Sequence, residues 1–318
     1  MAISRASVAG VVAAVAGVVM ARRPAAAAAP ASASWVDDLE ADLVDAGSRE
    51  HYADAALYDY EYRRRRADVT FYRQLARRQF RGAPGRILEL GAGTGRVTIP
   101  LATDGHDVVA LDQAPSMLDR LRARVDRMNA TMQQRITVVA GDLRSFEIPG
   151  EKPFPLAIAA FNVLEHLYTR GEIDACLRCV AEHLAPDGLF VFDVQLPDLA
   201  WLIRDPHKRW AKTRFTDPTS GRRMMYSTNH DYDPISQIVL VRLYYEALDD
   251  AGQPTGRPRI VKLSQRKFFP AELEALIAHA GLRLVERYGD FSFGPLLPTS
   301  ESQVLVCQPA TKPRRKRR

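Results

Sequence analysis

The segment ILELGAGTGRVTIPLA, residues 87–102, places a carboxylate, Glu89, two positions before the first of three glycines, Gly91, Gly93 and Gly95. Glycine permits a tight turn and lets backbone approach a ligand closely, and a helix opening just beyond offers unpaired N–H groups. Two further acids close short apolar runs downstream, Asp112 after VVAL and Asp142 after VVAG. Asn162 and His166 lie in AFNVLEHL, where a histidine can exchange a proton near neutral pH. Upstream, Tyr58, Asp59 and Tyr62 precede Arg63, Arg64, Arg65 and Arg66, which cannot all face one way on a helix. The dinucleotide spacing GxGxxG counted from Gly91 requires glycine or alanine at position 96, and Arg96 obstructs the close helix packing of that arrangement. Cys176, Cys179 and Cys307 make neither a disulfide framework nor two ligand pairs, so four-ligand zinc is not expected. The cysteine pattern suits a reducing compartment.

These residues need elements to carry them. ILEL, DVVALD, ITVVAGD, PLAIAAFN and LFVFDV read as short apolar strands, separated by helices through Leu101 and at 116–128 and 173–184, the last followed by a turn at APDG. That rhythm predicts a doubly wound α/β fold, a mostly parallel seven-stranded sheet whose ligands bind beyond the carboxyl ends of the strands. After Pro197 the runs RRMMYSTNHDYD, QIVLVRLYYEALD and PRIVKLSQRKF predict an antiparallel three-stranded insert. A helix, PAELEALIAHAG, and the strands LRLVERYG and SQVLVCQ complete the sheet. Residues 37–80 read as helices, with LYDYEYRRRRADVTFYRQLARR mostly one helix because it holds no breaker. The expected parts are a disordered or apolar leader at 1–34, a helical lid at 35–85, a core at 86–196, the insert at 197–268, the closing helix and strands at 269–309 and a basic disordered tail at 310–318.

With 318 residues, 47% hydrophobic and 26% charged, the chain can bury a large core, which excludes disorder of the whole. The net charge of +6 arises at the ends. Without the arginines before Pro24 and the terminal KPRRKRR, 35 basic residues face 38 acidic ones, so the body offers no case for specific nucleic-acid recognition. Residues 6–21 are apolar but dominated by alanine and valine, and short for a membrane span. A leader behind an upstream or non-native start, in a cytoplasmic protein, is the expectation. An N-terminal anchor or export signal is the alternative.

The GxGxG loop behind Glu89 resembles motif I of the class I S-adenosylmethionine methyltransferases. The resemblance continues through VVALDQAPSMLDRLRAR, ITVVAGDLRSFEI, AFNVLEHL and HLAPDGLFVFDV, five ordered motifs over about a third of the chain. It implies S-adenosylmethionine as cofactor, cradled by Gly91, Ala92, Gly93 and Gly95. Asp112, with Gln113 beside it, would accept both ribose hydroxyls. Asp142 would meet the adenine amino group, with Leu143 and Met117 as apolar neighbours of the ring. Glu89 would hold the methionine ammonium, and Phe161 and Asn162 would flank the reactive end. His166 matches either a general base or a residue that packs near the cofactor. Tyr58 and Tyr62 match the lid tyrosines of small-molecule enzymes such as glycine and sugar N-methyltransferases, or simply a packing face. The insert would roof the acceptor pocket, where Tyr226, His230, Tyr244 and Arg266 are candidates without assigned roles. The implied activity is N- or O-methylation of a small molecule, without a metal and without a stable membrane span, by a chain for which a homodimer is open. Two alternatives are an NAD(P)-dependent oxidoreductase and a catalytically silent binding module of the same fold.

Overall fold

Short strands that bury both faces need helices on each side, and strands of that kind organise this chain. The computed structural model describes residues 34–148 and 153–310. Five strands, β1 (Arg86–Leu90), β2 (Asp107–Asp112), β3 (Ile136–Ala140), β4 (Phe154–Ala159) and β5 (Leu184–Gln195), pair in parallel. Four more, β6 (Trp210–Thr216), β7 (Arg223–Asp233), β8 (Ile238–Leu248) and β9 (Pro254–Arg266), form a separate antiparallel sheet. β10 (Leu282–Tyr288) and β11 (Ser302–Pro309) return to the first sheet, whose order is β10-β11-β5-β4-β1-β2-β3, with β11 antiparallel to both neighbours. The order reverses at β1 and β4, so the crevice for a ligand lies beyond their carboxyl ends.

Side-chain alternation divides the core. Leu88 and Leu90 face a cluster with Ile173, Leu177 and Val180 of helix Arg170–His183, while Ile87 faces one with Phe71, Tyr72 and Leu75. Glu89, two residues on from Ile87, shares that second face. By its contacts the chain divides into residues 1–42, where only the start of helix α1 (Ser34–Arg49) is described, and residues 43–318, which hold both sheets. The expected leader and tail lie outside the described residues apart from Ser34 and Ala310. Among the described residues no helix is long and apolar enough to cross a membrane.

Three expectations need correction. The segment around the four arginines is two helices, α2 (Ala55–Tyr62) and α3 (Ala67–Gln79), broken at residues 63–66. The two pack on different cores: Leu57 of α2 joins Val239, Val241 and Tyr245 of the antiparallel sheet, whereas Phe71 and Tyr72 of α3 pack on the parallel one. Tertiary packing overrides a breaker-free sequence here. The insert has four strands rather than three. β6 is an edge strand with most side chains in solvent, and its Lys212 and Arg214 give the sequence no apolar alternation to detect. Finally, β5 begins at Leu184 and absorbs the APDG turn, with an irregular register against β4.

Candidate active site

Beyond Leu90 the chain turns at positive φ, 66° at Gly91, 55° at Gly93 and 83° at Gly95. A Cβ at Gly91 would stand 2.4 Å from Val163 Cγ2 and one at Gly95 2.4 Å from Leu121 Cδ1, while one at Gly93 would meet nothing within 4 Å. Gly91 and Gly95 thus permit close packing, and Gly93 keeps the open side of the loop free. Asp112, at the end of β2, fastens this loop to the next: its Oδ2 accepts the Gly93 N–H and its Oδ1 the Ala114 N–H, each at 2.8 Å. Burial pushes the Asp112 carboxyl up, and these N–H donors draw it back.

A cleft opens over this loop. Of the residues singled out in the sequence, Tyr58, Gly91, Gly93, Asp112 and Gln113 line it, with Met117, Leu143, Phe161 and His166. Ala92, Gly95, Glu89, Asn162, Asp142 and Tyr62 do not. Ala92 and Gly95 hold the turn from behind, through Ala92 N–H to the Leu111 carbonyl and Gly95 N–H to the Ala92 carbonyl, both 3.0 Å. Glu89 is buried beneath the loop, accepting the Thr98 hydroxyl at 2.6 Å. Burial pushes its carboxyl up to about 7. Phe161 and Asn162 sit in the left-handed region, φ 72° and 62°, because buried Asp193 takes both their N–H groups, at 2.8 and 3.2 Å, and the Tyr72 hydroxyl at 2.6 Å. That clamp aims the Phe161 ring into the cleft, with the guanidinium groups of Arg65 and Arg96 over it at 4.5 and 4.9 Å.

Above the cleft stands a layer of aromatic rings. Tyr58 and Tyr62 are 4.7 Å apart, Tyr62 meets Phe161 edge-on at 4.8 Å, and Tyr52 meets His166 edge-on at 5.2 Å. Tyr52 also shares a 2.6 Å hydrogen bond with His166 Nε2. Burial holds His166 down to about 4, so its ring is neutral at neutral pH. A second cavity, of about 550 Å³, lies between α2 and the antiparallel sheet, and Tyr58 lines both spaces.

Residues 87–188 match the family model described as a methyltransferase domain. This chain carries a class I, S-adenosylmethionine-dependent methyltransferase domain. The chain is 32% identical over 111 residues to a putative methyltransferase of Bacillus subtilis, YqeM, covering 35% of this chain and 42% of the relative. The chain spans less than half the length of the first curated relatives it matches. Among solved structures, the CcbJ methyltransferase from Streptomyces caelestis is 28% identical with a TM-score of 0.61, over 77% of this chain and 90% of that one. CalS10 from Micromonospora echinaspora, described as an amino pentose methyltransferase, shares the fold at 21% identity and a TM-score of 0.58, over 80% of this chain and 96% of that one.

Several placements depart from the reading of the sequence. The Asp142 carboxylate is taken by Arg144, which bonds it through Nε at 2.9 Å and reaches Glu172 at 2.5 Å, so it does not face the cleft. This pairing holds the carboxyl below its usual range. Arg96 turns away from the loop to make a bidentate bond, 2.8 and 2.7 Å, with buried Asp68 at the start of α3. The candidates for the roof fall outside both spaces. Tyr244 bonds Asn229 at 3.3 Å under Arg209, His230 stacks on Trp201, Arg266 pairs with Glu272 at 2.6 Å, and Tyr226 packs on Tyr245. Tyr245, one position from Tyr244 and therefore on the opposite face of β8, lines the second cavity together with Thr219, Arg259 and Val261 of the insert. Sequence reasoning also missed Ser48 and Tyr52 in the cleft and His51 in the second cavity. Their signal was the aromatic density of SREHYADAALYDYEY.

Proposed function

We propose that this chain transfers the methyl group of S-adenosylmethionine to a nitrogen or oxygen of a small-molecule acceptor. The observation that carries the reading is a single cleft lined by the glycine turn, the strand-end carboxylate Asp112, apolar Met117 and Leu143, and tyrosine rings. The residues fit the cofactor on structural grounds. Gly93 leaves backbone uncovered, Asp112 keeps a lone pair on each oxygen beyond the ones used by the loop, and aromatic faces suit a cationic sulfur. Bound S-adenosylmethionine supplies an electrophilic methyl on a sulfonium. In-line displacement then draws chiefly on alignment and exclusion of water, which the clamped Phe161 and the tyrosine layer provide. The names of CcbJ, and of CalS10 as an amino pentose methyltransferase, support a small acceptor.

Calorimetry with S-adenosylmethionine and, separately, with NAD tests this directly, because binding of the dinucleotide alone would defeat it. A screen of amine and hydroxyl metabolites for cofactor-dependent methylation then reads the acceptor.

Glu89, buried beneath the loop rather than lining the cleft, is assigned to the cofactor ammonium through a bridging water. An ammonium binds the ionised carboxylate, so affinity should rise by up to about tenfold per pH unit below the Glu89 pKa of about 7 and fall again above about pH 8, where the cofactor's own ammonium loses its proton. Glu89→Gln should abolish that slope, and a flat profile in the unaltered protein would remove the assignment. His166 is assigned as a neutral proton acceptor beside the Tyr52 hydroxyl, and Tyr58 as a face over the reacting centre. His166→Gln is expected to slow turnover about tenfold with cofactor affinity preserved. Unchanged turnover would leave His166 a packing residue.

A further inference from the structure

The 550 Å³ cavity beside Tyr58 holds three carboxylates, and they are not equivalent. Glu50 is neutralised by Lys262, whose Nζ and N–H bond it at 2.9 and 2.8 Å. Asp54 caps α2 through the Leu57 N–H at 3.0 Å and lies 3.4 Å from Arg259. Among the described residues Glu61 has no ion pair. Its Oε1 accepts the Tyr245 hydroxyl at 2.8 Å. Burial pushes the Glu61 carboxyl up, while the Tyr245 hydroxyl and, at longer range, Arg259 draw it back, so no cation sits directly on it.

A second side chain faces the same space. His51 is 7% exposed, its Nε2 lies 3.3 Å from the Tyr62 hydroxyl, and its Nδ1 has no hydrogen bond among the described residues. Burial holds it down to about 4, so it presents a neutral ring. The rings of Tyr58 and Tyr245 complete the lining, and aromatic faces beside a carboxylate favour an organic cation. Arg259, the cation of the rim, is already engaged by Asp54 and lies over the Tyr245 ring at 5.1 Å, so an anion finds no free partner in it.

We propose that this cavity binds an acceptor carrying a protonated amine, with the ammonium anchored on Glu61 against Tyr58 and Tyr245 and a second polar hydrogen donated to His51 Nδ1. The proposal rests on the reading of the neighbouring cleft as the cofactor site and names the acceptor class. An ammonium holds its lone pair in an N–H bond. The nitrogen on Glu61 therefore orients the acceptor and is not the nucleophile while it stays protonated.

The test compares two rigid probes, trans-4-aminocyclohexanol and trans-1,4-cyclohexanediol, titrated by ligand-observed NMR into the full chain with and without S-adenosylhomocysteine. The amine should bind at least about tenfold tighter than the diol, and Glu61→Gln should erase that preference while diol affinity stays within about twofold. Tyr245→Phe, a milder change that keeps the ring, should weaken the amine about threefold and serves if the first variant does not fold. Equal binding of the two probes, an amine preference that survives Glu61→Gln, or no binding of either probe up to its solubility would each overturn the proposal. If S-adenosylhomocysteine does not bind but the Glu61-dependent preference is present, the cofactor reading fails and the anchor stands.

Discussion

Replacing Lys267 with methionine should destabilise the protein by about 3–5 kcal/mol, because it leaves the Glu165 carboxylate buried without its cation. Glu165 is fully buried. Its Oε2 accepts Lys267 Nζ at 2.7 Å and its Oε1 the Gln195 N–H at 2.7 Å, while Lys267, 1% exposed, also bonds Gln265 at 3.2 Å. Burial pushes the Glu165 carboxyl up, and Lys267 is the main force drawing it back. Without the ammonium the carboxyl rises further, so the folded variant takes up a proton at a pH where the unfolded chain has lost it. The loss of stability is then full above the raised pKa and shrinks as pH falls through it toward the ordinary carboxylate range. Urea denaturation at pH 8 and at pH 5.5 should show this, with the double variant Glu165→Gln, Lys267→Met recovering most of the loss. A change below about 1 kcal/mol at pH 8 would mean that water reaches the pair. The consequence is local as well as global. Glu165 belongs to the turn Val163–His166, Lys267 follows β9, and Gln195 ends β5, so the bond ties the antiparallel sheet and His166 to the core.

What the sequence revealed, and what it concealed, follows from where the information is local. The strands β1 to β5 were legible because a strand covered on both faces must be apolar throughout, and the glycine turn because positive φ demands it. That Asp112 lines the cleft was legible because it ends β2 beside such a turn. The rest depended on partners distant in sequence. Asp142 and Arg144 are two residues apart, yet the ion pair that turns them from the cleft is completed by Glu172. The break at residues 63–66 arises because α2 and α3 answer to different cores. Choosing Tyr244 over Tyr245 was an error of one residue in strand parity, which inverts the face, and nothing in QIVLVRLYYEALD fixes that parity since both faces are partly apolar. Tyr52 reaches His166 across 114 positions, a contact that only the fold brings about.

Asp112→Ala should weaken cofactor binding about hundredfold, because its carboxylate is asked to do two things at once. Each oxygen already accepts one backbone N–H at 2.8 Å, from Gly93 and from Ala114, and under the proposed reading its remaining lone pairs would accept the ribose diol. Hydrogen bonds to a charged acceptor contribute about 1.5–3 kcal/mol each, so losing two from the ligand alone corresponds, even at the lower end, to about two powers of ten. The loop contribution must be separated from the ribose contribution, since removing Asp112 also frees the Gly93 turn. Methylthioadenosine and its 2′,3′-dideoxy analogue do this when titrated calorimetrically into both proteins. The unaltered protein should prefer the diol-bearing ligand by at least about tenfold, and Asp112→Ala should bind the two alike. If both proteins discriminate equally, Asp112 serves the loop and the ribose is held elsewhere. Asp112→Asn sharpens the comparison: its amide offers one acceptor oxygen and turns an N–H₂ toward one of the backbone donors, so it should bind scarcely better than the alanine variant.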